Sequence, residues 1–147
     1  MLLQNYLVAT IDNEVVAFIA LVTDDKRAFN IPLKDFQKHF GFFRGYMFGI
    51  ALSNDFEKTI PLDSDSAYID ILGVSKKYQR QGLASKLIEY VIKKYKYKTL
   101  TLNVTNVNSS AISLYKKHGF QEYSREKVKF AKQKGFSEYI YLKYSKN

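Results

Sequence analysis

A chain of 147 residues, 46% apolar and 25% charged, suits one globular domain, and its 12 tyrosines and 11 phenylalanines exclude disorder as the main state. The absence of cysteine excludes a disulfide framework, a Cys-ligated metal and a thiol nucleophile, and two histidines, His39 and His118, are too few for a His-rich metal site. The net charge of +9 is uneven: residues 1–70 carry 6 Lys+Arg against 10 Asp+Glu, and residues 71–147 carry 17 against 4. The second half is therefore either a lysine-rich solvated surface or the seat of a polyanion such as nucleic acid, acidic lipid or a phosphate-rich cofactor.

In chain order, residues 6–11 and 15–22 read as two strands joined by a turn at Asp12-Asn13-Glu14. The apolar run over 15–22 is far short of a membrane span, and the opening Met1-Leu-Leu-Gln-Asn has no basic leader, so a cytoplasmic protein is expected. Pro32 opens a predicted helix over 32–40, and a second apolar segment covers 42–53. Residues 68–74 read as a strand. The clearest helix spans 82–95, where Leu83, Leu87, Ile88, Val91, Ile92 and Tyr95 form one apolar face. Residues 99–105 alternate as a half-buried strand does. Asn108 caps a short helix that Gly119 closes, and two strands over 120–130 and 136–144 flank Lys132 to Gly135 as a hairpin. The pattern predicts an α/β (α+β) domain with a central mixed, mostly antiparallel sheet flanked by helices.

The stretch Gln79, Arg80, Gln81, Gly82, Leu83, Ala84, Ser85 lies directly between a predicted strand and helix. A helix start offers unpaired N–H groups and the positive end of the macrodipole, and small residues let an anion approach. Gly82 and Ala84 give that clearance, Arg80 adds a guanidinium and Ser85 a hydroxyl, so the stretch reads as a pyrophosphate cradle. It lacks the Gly-Lys-Ser/Thr ending of a P-loop and the three glycines of a dinucleotide fingerprint, and by itself it is also compatible with an ordinary loop. Gly73, inside Ile71-Leu72-Gly73-Val74, marks either a packing glycine or a bulge that frees backbone groups for an extended ligand. Tyr115, near the end of the short helix, is either a packing residue or a phenol placed to donate a proton.

Together these elements resemble the GNAT N-acetyltransferase superfamily. The acetyl-CoA motif Gln/Arg-x-x-Gly-x-Gly/Ala is met from Gln79 to Ala84, and the later Asn-x-x-Ala-x-x-x-Tyr-x-x-x-Gly-Phe by Asn108, Ala111, Tyr115, Gly119 and Phe120. The resemblance covers about residues 66–144 and implies that the whole chain, 1–147, is one such domain. It implies acetyl-CoA as co-substrate, no metal, and direct transfer of acetyl to a primary amine. Pantetheine would lie in a wedge opened by a bulged strand at Leu72, Gly73 and Val74, with a strand N–H near Leu72 polarising the acetyl carbonyl. The pyrophosphate would sit on the N–H groups of Gln81 to Ser85, Asn108 would bond the cofactor arm, and Tyr115 would be the general acid toward the thiolate. Lys76, Lys77, Arg80 and Lys116 are candidates for the coenzyme phosphates.

The general base is open. Asn103 stands where relatives often carry an acid, and cannot serve. Asp70 is the carboxylate candidate, and strict alternation places it on one face with Tyr68 and Leu72. His118 is the other candidate by residue type but sits where it stabilises a helix dipole. The chain also departs from the family in lacking a complete N-terminal strand–helix–helix unit. Residues 24–65 form a helical insertion instead, rich in Phe36, Phe40, Phe42, Phe43, Tyr46 and Phe48: an acceptor wall, a core replacement, or a dimer or interfacial surface.

Two alternatives stand beside the enzyme. One is a non-catalytic module that binds acetyl-CoA. The other is a basic nucleic-acid-binding domain using Arg125, Lys127, Lys129, Lys132 and Lys134 with Tyr123 and Phe130. With coenzyme as the anion, no nucleic acid and no membrane are expected as partners. The acceptor is then a small-molecule or peptide amine, the acidic first half favours a cationic one, and a homodimer is common among relatives.

Overall fold

The computed structural model describes residues 6–23 and 62–146. Six strands form one sheet: β1 (Tyr6–Ile11), β2 (Glu14–Val22), β3 (Ser66–Val74), β4 (Thr99–Thr105), β5 (Gln121–Lys127) and β6 (Glu138–Ser145), in spatial order β1-β2-β3-β4-β6-β5. Every neighbouring pair is antiparallel except β3 with β4. Helices α1 (Leu83–Lys94) and α2 (Ser109–Lys117) and a helical turn α3 (Ala131–Lys134) fill the connections. The predicted helical insertion lies outside the described residues except for its last four positions.

The parallel pair is explained by α1, which carries the chain back from the end of β3 to the start of β4 as a crossover. Both helices pack on one face of the sheet. Leu87, Ile88 and Val91 of α1 and Tyr115 of α2 meet Ala17, Ile19 and Leu21 of β2, Ala67 and Ile69 of β3, Leu100 and Leu102 of β4, and Ile140 and Leu142 of β6 in one core. Phe120 lies edge-on to Tyr115, with centroids 5.4 Å apart. Gly119, at φ +88°, makes the left-handed turn that lets Phe120 fold under the helix it follows. The opposite face, called the outer face below, presents Phe18, Ala20 and Val22 of β2 and Tyr68 and Ile71 of β3, all buried.

The bulge in β3 is not where Gly73 suggests. Leu72, Gly73 and Val74 keep regular register against Ile19, Phe18 and Ala17; the slip falls between Ile71, opposite Ala20, and Ile69, opposite Leu21. Asp70 is therefore the extra residue. One additional residue inverts the alternation that follows. Leu72 and Val74 consequently share the helix face with Ile69, whereas Tyr68 and Ile71 lie on the outer face. The expectation that Asp70 and Tyr68 share a face with Leu72 fails for that reason.

Candidate active site

The sheet opens in its middle. β3 and β4 pair only where Ser66, Ala67 and Tyr68 meet Thr99, Leu100 and Thr101. Their closed end is stitched firmly: Lys98 N and Thr99 N donate to Asp65 O at 2.8 and 3.4 Å, and Lys98 Nζ lies 2.7 Å from Asp65 Oδ2. Beyond Tyr68 the two strands run on to Val74 and Thr105 without pairing. The β4-facing backbone groups of 69–74 therefore lack a strand partner on that side among the described residues. A backbone edge of this kind offers an extended amide ligand the hydrogen bonds of a missing strand. At the open end, Gln79 Nε2 donates to Val74 O at 3.2 Å, tying the cradle loop to the last residue of β3.

The cradle follows at once. A 3-10 turn (Lys76–Tyr78) leads to Arg80, at φ +64°, and Gly82, at φ +79°, which is the N-cap of α1. Left-handed residues in such a loop gather backbone N–H groups into an anion-binding concavity. No side chain caps this helix start and no acidic residue occupies its first turn. The N–H groups of Leu83, Ala84 and Ser85 thus remain beyond the intrahelical ladder, which begins with Lys86 N donating to Gly82 O at 3.0 Å. A β-carbon on Gly82 would meet nothing within 4 Å, so the space before the helix is open. Arg80, Lys76 and Lys77 are exposed around it, with Lys77 Nζ 5.0 Å from the Tyr78 ring centroid. These features suit a pyrophosphate.

Ser85 and His118, read separately in the sequence, come together. His118 Nε2 lies 2.9 Å from Ser85 Oγ, and Nδ1 lies 3.9 Å from Glu89 Oε1, with the side chain 9% exposed. The imidazole thus joins the end of α2 to the first turn of α1 as well as ending its own helix. Asn108 Oδ1 accepts from Ala111 N at 3.2 Å and from Ser110 Oγ at 3.1 Å, so its N-cap role is realised directly. Tyr115 is 6% exposed, on the helix that leaves β4.

Two tyrosine–carboxylate neighbourhoods occupy the outer face. On the β3 side, the Oδ2 atom of Asp70 is sealed from solvent, and Tyr6 has its pKa pushed up to about 12, by burial first and by the Asp70 charge second. On the β4 side, Tyr141 Oη donates to Glu126 Oε2 at 2.7 Å, while Asn103 hydrogen-bonds the same phenol. Burial, then the Glu126 bond and charge, push the Tyr141 pKa up to about 12 as well. Sequence reading missed this second group, because only the register that sets Asn103 opposite Tyr141 and Tyr141 opposite Ser124 brings it together. Asn106 was missed too. Its Oδ1 accepts from Ser137 N and Glu138 N at 3.1 and 3.2 Å, fixing the exit of β4 to the entry of β6.

A raised phenol pKa makes stability fall at high pH. Below pH 10 both phenols are protonated folded and unfolded; above it the unfolded chain ionises first, so the native advantage drains away between pH 10 and about 12. Denaturant midpoints are expected to decline across that window. Tyr6→Phe and Tyr141→Phe should each flatten the decline, and a slope unchanged in both variants would contradict the assignment.

The basic hairpin proposed for nucleic acid loses its arginine: Arg125 forms ion pairs with Glu122 and Glu138. Among the described residues no three His, Cys, Asp or Glu side chains gather as metal ligands, and no helix is long and apolar enough to cross a membrane.

No curated protein matches the chain in sequence. In structure it resembles the ribosomal-protein-S18-alanine N-acetyltransferase of Escherichia coli, with TM-score 0.61 and 22% identity over 97% of this chain and 70% of that one. It also resembles a GNAT family acetyltransferase of Elizabethkingia anophelis solved with acetyl-CoA bound, with TM-score 0.62 and 20% identity over 96% and 75%. An IAA acetyltransferase of Bacillus cereus gives TM-score 0.61 and 16% identity over 96% and 77%. These likenesses establish the fold. The model of the acetyltransferase (GNAT) family matches residues 3–120, from before β1 to the phenylalanine under α2. The parted sheet and the open helix start are thus those of a family member: the chain belongs to the GNAT acetyltransferases and is an N-acetyltransferase with acetyl-CoA as co-substrate.

Proposed function

We propose that the protein moves acetyl directly from coenzyme A to a primary amine, with Asp70 accepting the amine proton and Tyr115 protonating the leaving thiolate. The observation that carries this reading is the unpaired stretch of β3 and β4, which begins immediately beside Asp70. Pantetheine laid along Leu72, Gly73 and Val74 would place its thioester toward the closed end, near the bulge. The pyrophosphate would rest at Gln79, Arg80 and the N–H groups of Gln81 to Ser85. The amine nitrogen attacks the thioester carbon, the C–N bond forms and the C–S bond breaks. A backbone N–H near Leu72 would hold the developing oxyanion. Tyr115 gives its proton to sulfur and regains one from solvent, while Asp70 takes the proton that the nitrogen sheds. Asn108 is engaged with its own helix start through Oδ1, so its service to the cofactor arm would fall to the amide nitrogen.

The test is the pH profile of Asp70→Asn. A lost base is expected to cut kcat/KM about 10²-fold at neutral pH. The deficit should narrow as rising pH deprotonates the free amine. An Asp70→Asn variant with the wild-type profile would remove Asp70 from the reaction.

A further inference from the structure

The two motifs, Gln79 to Ser85 and Asn108 to Phe120, are separate in sequence, and a side-chain bond joins them in the fold. His118 Nε2 lies 2.9 Å from Ser85 Oγ, between the end of α2 and the first turn of α1. The backbone fixes the imidazole in place. As the C-cap of α2, His118 donates its N–H to Tyr115 O at 3.0 Å, and the buried Phe120 anchors the chain that follows. Only 9% of the His118 side chain is exposed, so water competes little for the bond.

Ser85 is the third residue of α1 after its N-cap, Gly82. A polar side chain at that position ordinarily reaches back to cap its own helix, and serine hydroxyls bond nearby backbone readily. Such a cap would occupy the helix start that an anion needs. Here the start carries no side-chain cap, and the hydroxyl is turned to His118 instead.

One hydrogen lies between Nε2 and Oγ, and which atom carries it decides what Ser85 can do. Serine has a single O–H. If Ser85 donates to the imidazole, it has no hydrogen left for a phosphate. If Nε2–H donates to Oγ, the hydroxyl hydrogen is left over, in the same turn as the uncapped N–H groups. Nδ1 is 3.9 Å from Glu89 Oε1, beyond hydrogen-bond distance, so no bond there holds the imidazole hydrogen away from Nε2. A phosphate at the helix start accepts the hydroxyl hydrogen and selects the second arrangement.

We infer that His118 is a positioning residue of the acetyl-CoA site: its Nε2–H holds Ser85 off its own helix start, so that the hydroxyl donates to the pyrophosphate. This rests on the reading above that puts the pyrophosphate at the start of α1. In this role His118 acts through Ser85, and it governs coenzyme affinity rather than the transfer step.

Calorimetric titration of coenzyme A tests it, with thermal unfolding as the control for folding. Ser85→Ala and His118→Leu are each expected to weaken binding about five- to tenfold. The double variant should bind no worse than either single one, because both changes remove the same bond to the phosphate. His118→Gln, whose amide can set an N–H where Nε2 stood, should stay within about twofold of the wild type. His118→Asn, polar but too short to reach Ser85, should match His118→Leu. A merely structural tie between the helices would not distinguish glutamine from asparagine in this way. Additive losses in the double variant, or a loss in His118→Gln as large as in His118→Leu, overturn the inference. Failure of the cradle reading would look different: Ser85→Ala and Gly82→Trp would both bind coenzyme A as the wild type does, whereas an overturned role for His118 leaves Gly82→Trp without binding.

Discussion

Replacing Tyr115 by phenylalanine is expected to lower kcat by about 10²–10³-fold while leaving acetyl-CoA affinity and stability close to those of the wild type. The phenol is buried in the core between α2 and the sheet, and its ring packs edge-on with Phe120. Phenylalanine keeps that ring contact, so a fall in rate at unchanged thermal stability reports the proton and not the packing. The comparison with Phe120→Ala makes the point sharper. Emptying the site of a fully buried phenylalanine should cost about 3–5 kcal/mol of stability and lower all activities through unfolding. A substrate analogue whose leaving thiol is more acidic than coenzyme A should rescue Tyr115→Phe in part, because a better leaving group has less need of an acid. Wild-type turnover in Tyr115→Phe, or a deficit indifferent to the leaving group, would refute general-acid duty.

How far the sequence discloses this arrangement depends on where its alternation is informative. α1 is legible because one face only is apolar: Leu87, Ile88 and Val91 are buried while Lys86, Glu89 and Tyr90 are exposed. β4 is legible for the same reason, with Leu100, Leu102 and Val104 buried between half-exposed Thr and Asn. β3 is different. From Ser66 through Ile69 every residue is buried, so both faces are apolar and the pattern carries no record of which residue is the extra one. The glycine at 73 was the visible irregularity, yet the bulge follows the register with β2 and falls on Asp70. The site divides in the same way. The cradle is contiguous in sequence, and its glycine and small residues announce it. The Glu126, Tyr141 and Asn103 row joins three strands, and the pairing that assembles it also depends on a second slip, between Glu122 and Ser124. His118 meeting Ser85 is hidden likewise, since it follows from how α2 lies against α1.

The cradle makes the other large prediction: Gly82→Trp should abolish measurable acetyl-CoA binding, while Gly82→Ala and Arg80→Ala only weaken it. At φ +79° any β-carbon costs about 1 kcal/mol, and that cost is common to alanine and tryptophan. The two differ in what lies ahead of the β-carbon. Among the described residues nothing stands within 4 Å of a β-carbon placed there, so the fold leaves room at that position. That room is, however, the volume in front of the uncapped N–H groups of Leu83, Ala84 and Ser85, and an indole there shuts them off from a pyrophosphate. Calorimetric titration therefore separates backbone strain from occlusion, with thermal unfolding as the control for the shared strain. Gly82→Ala should lose roughly tenfold in affinity or less, and Gly82→Trp more than 10²-fold, a gap of at least about 1.4 kcal/mol. Arg80→Ala removes a charge beside the opening but leaves the N–H groups in place, so its loss should shrink as salt screens the phosphates. If Gly82→Trp bound acetyl-CoA within about threefold of the wild type, the anion would have to sit elsewhere. The open helix start would then be an ordinary loop entering a helix.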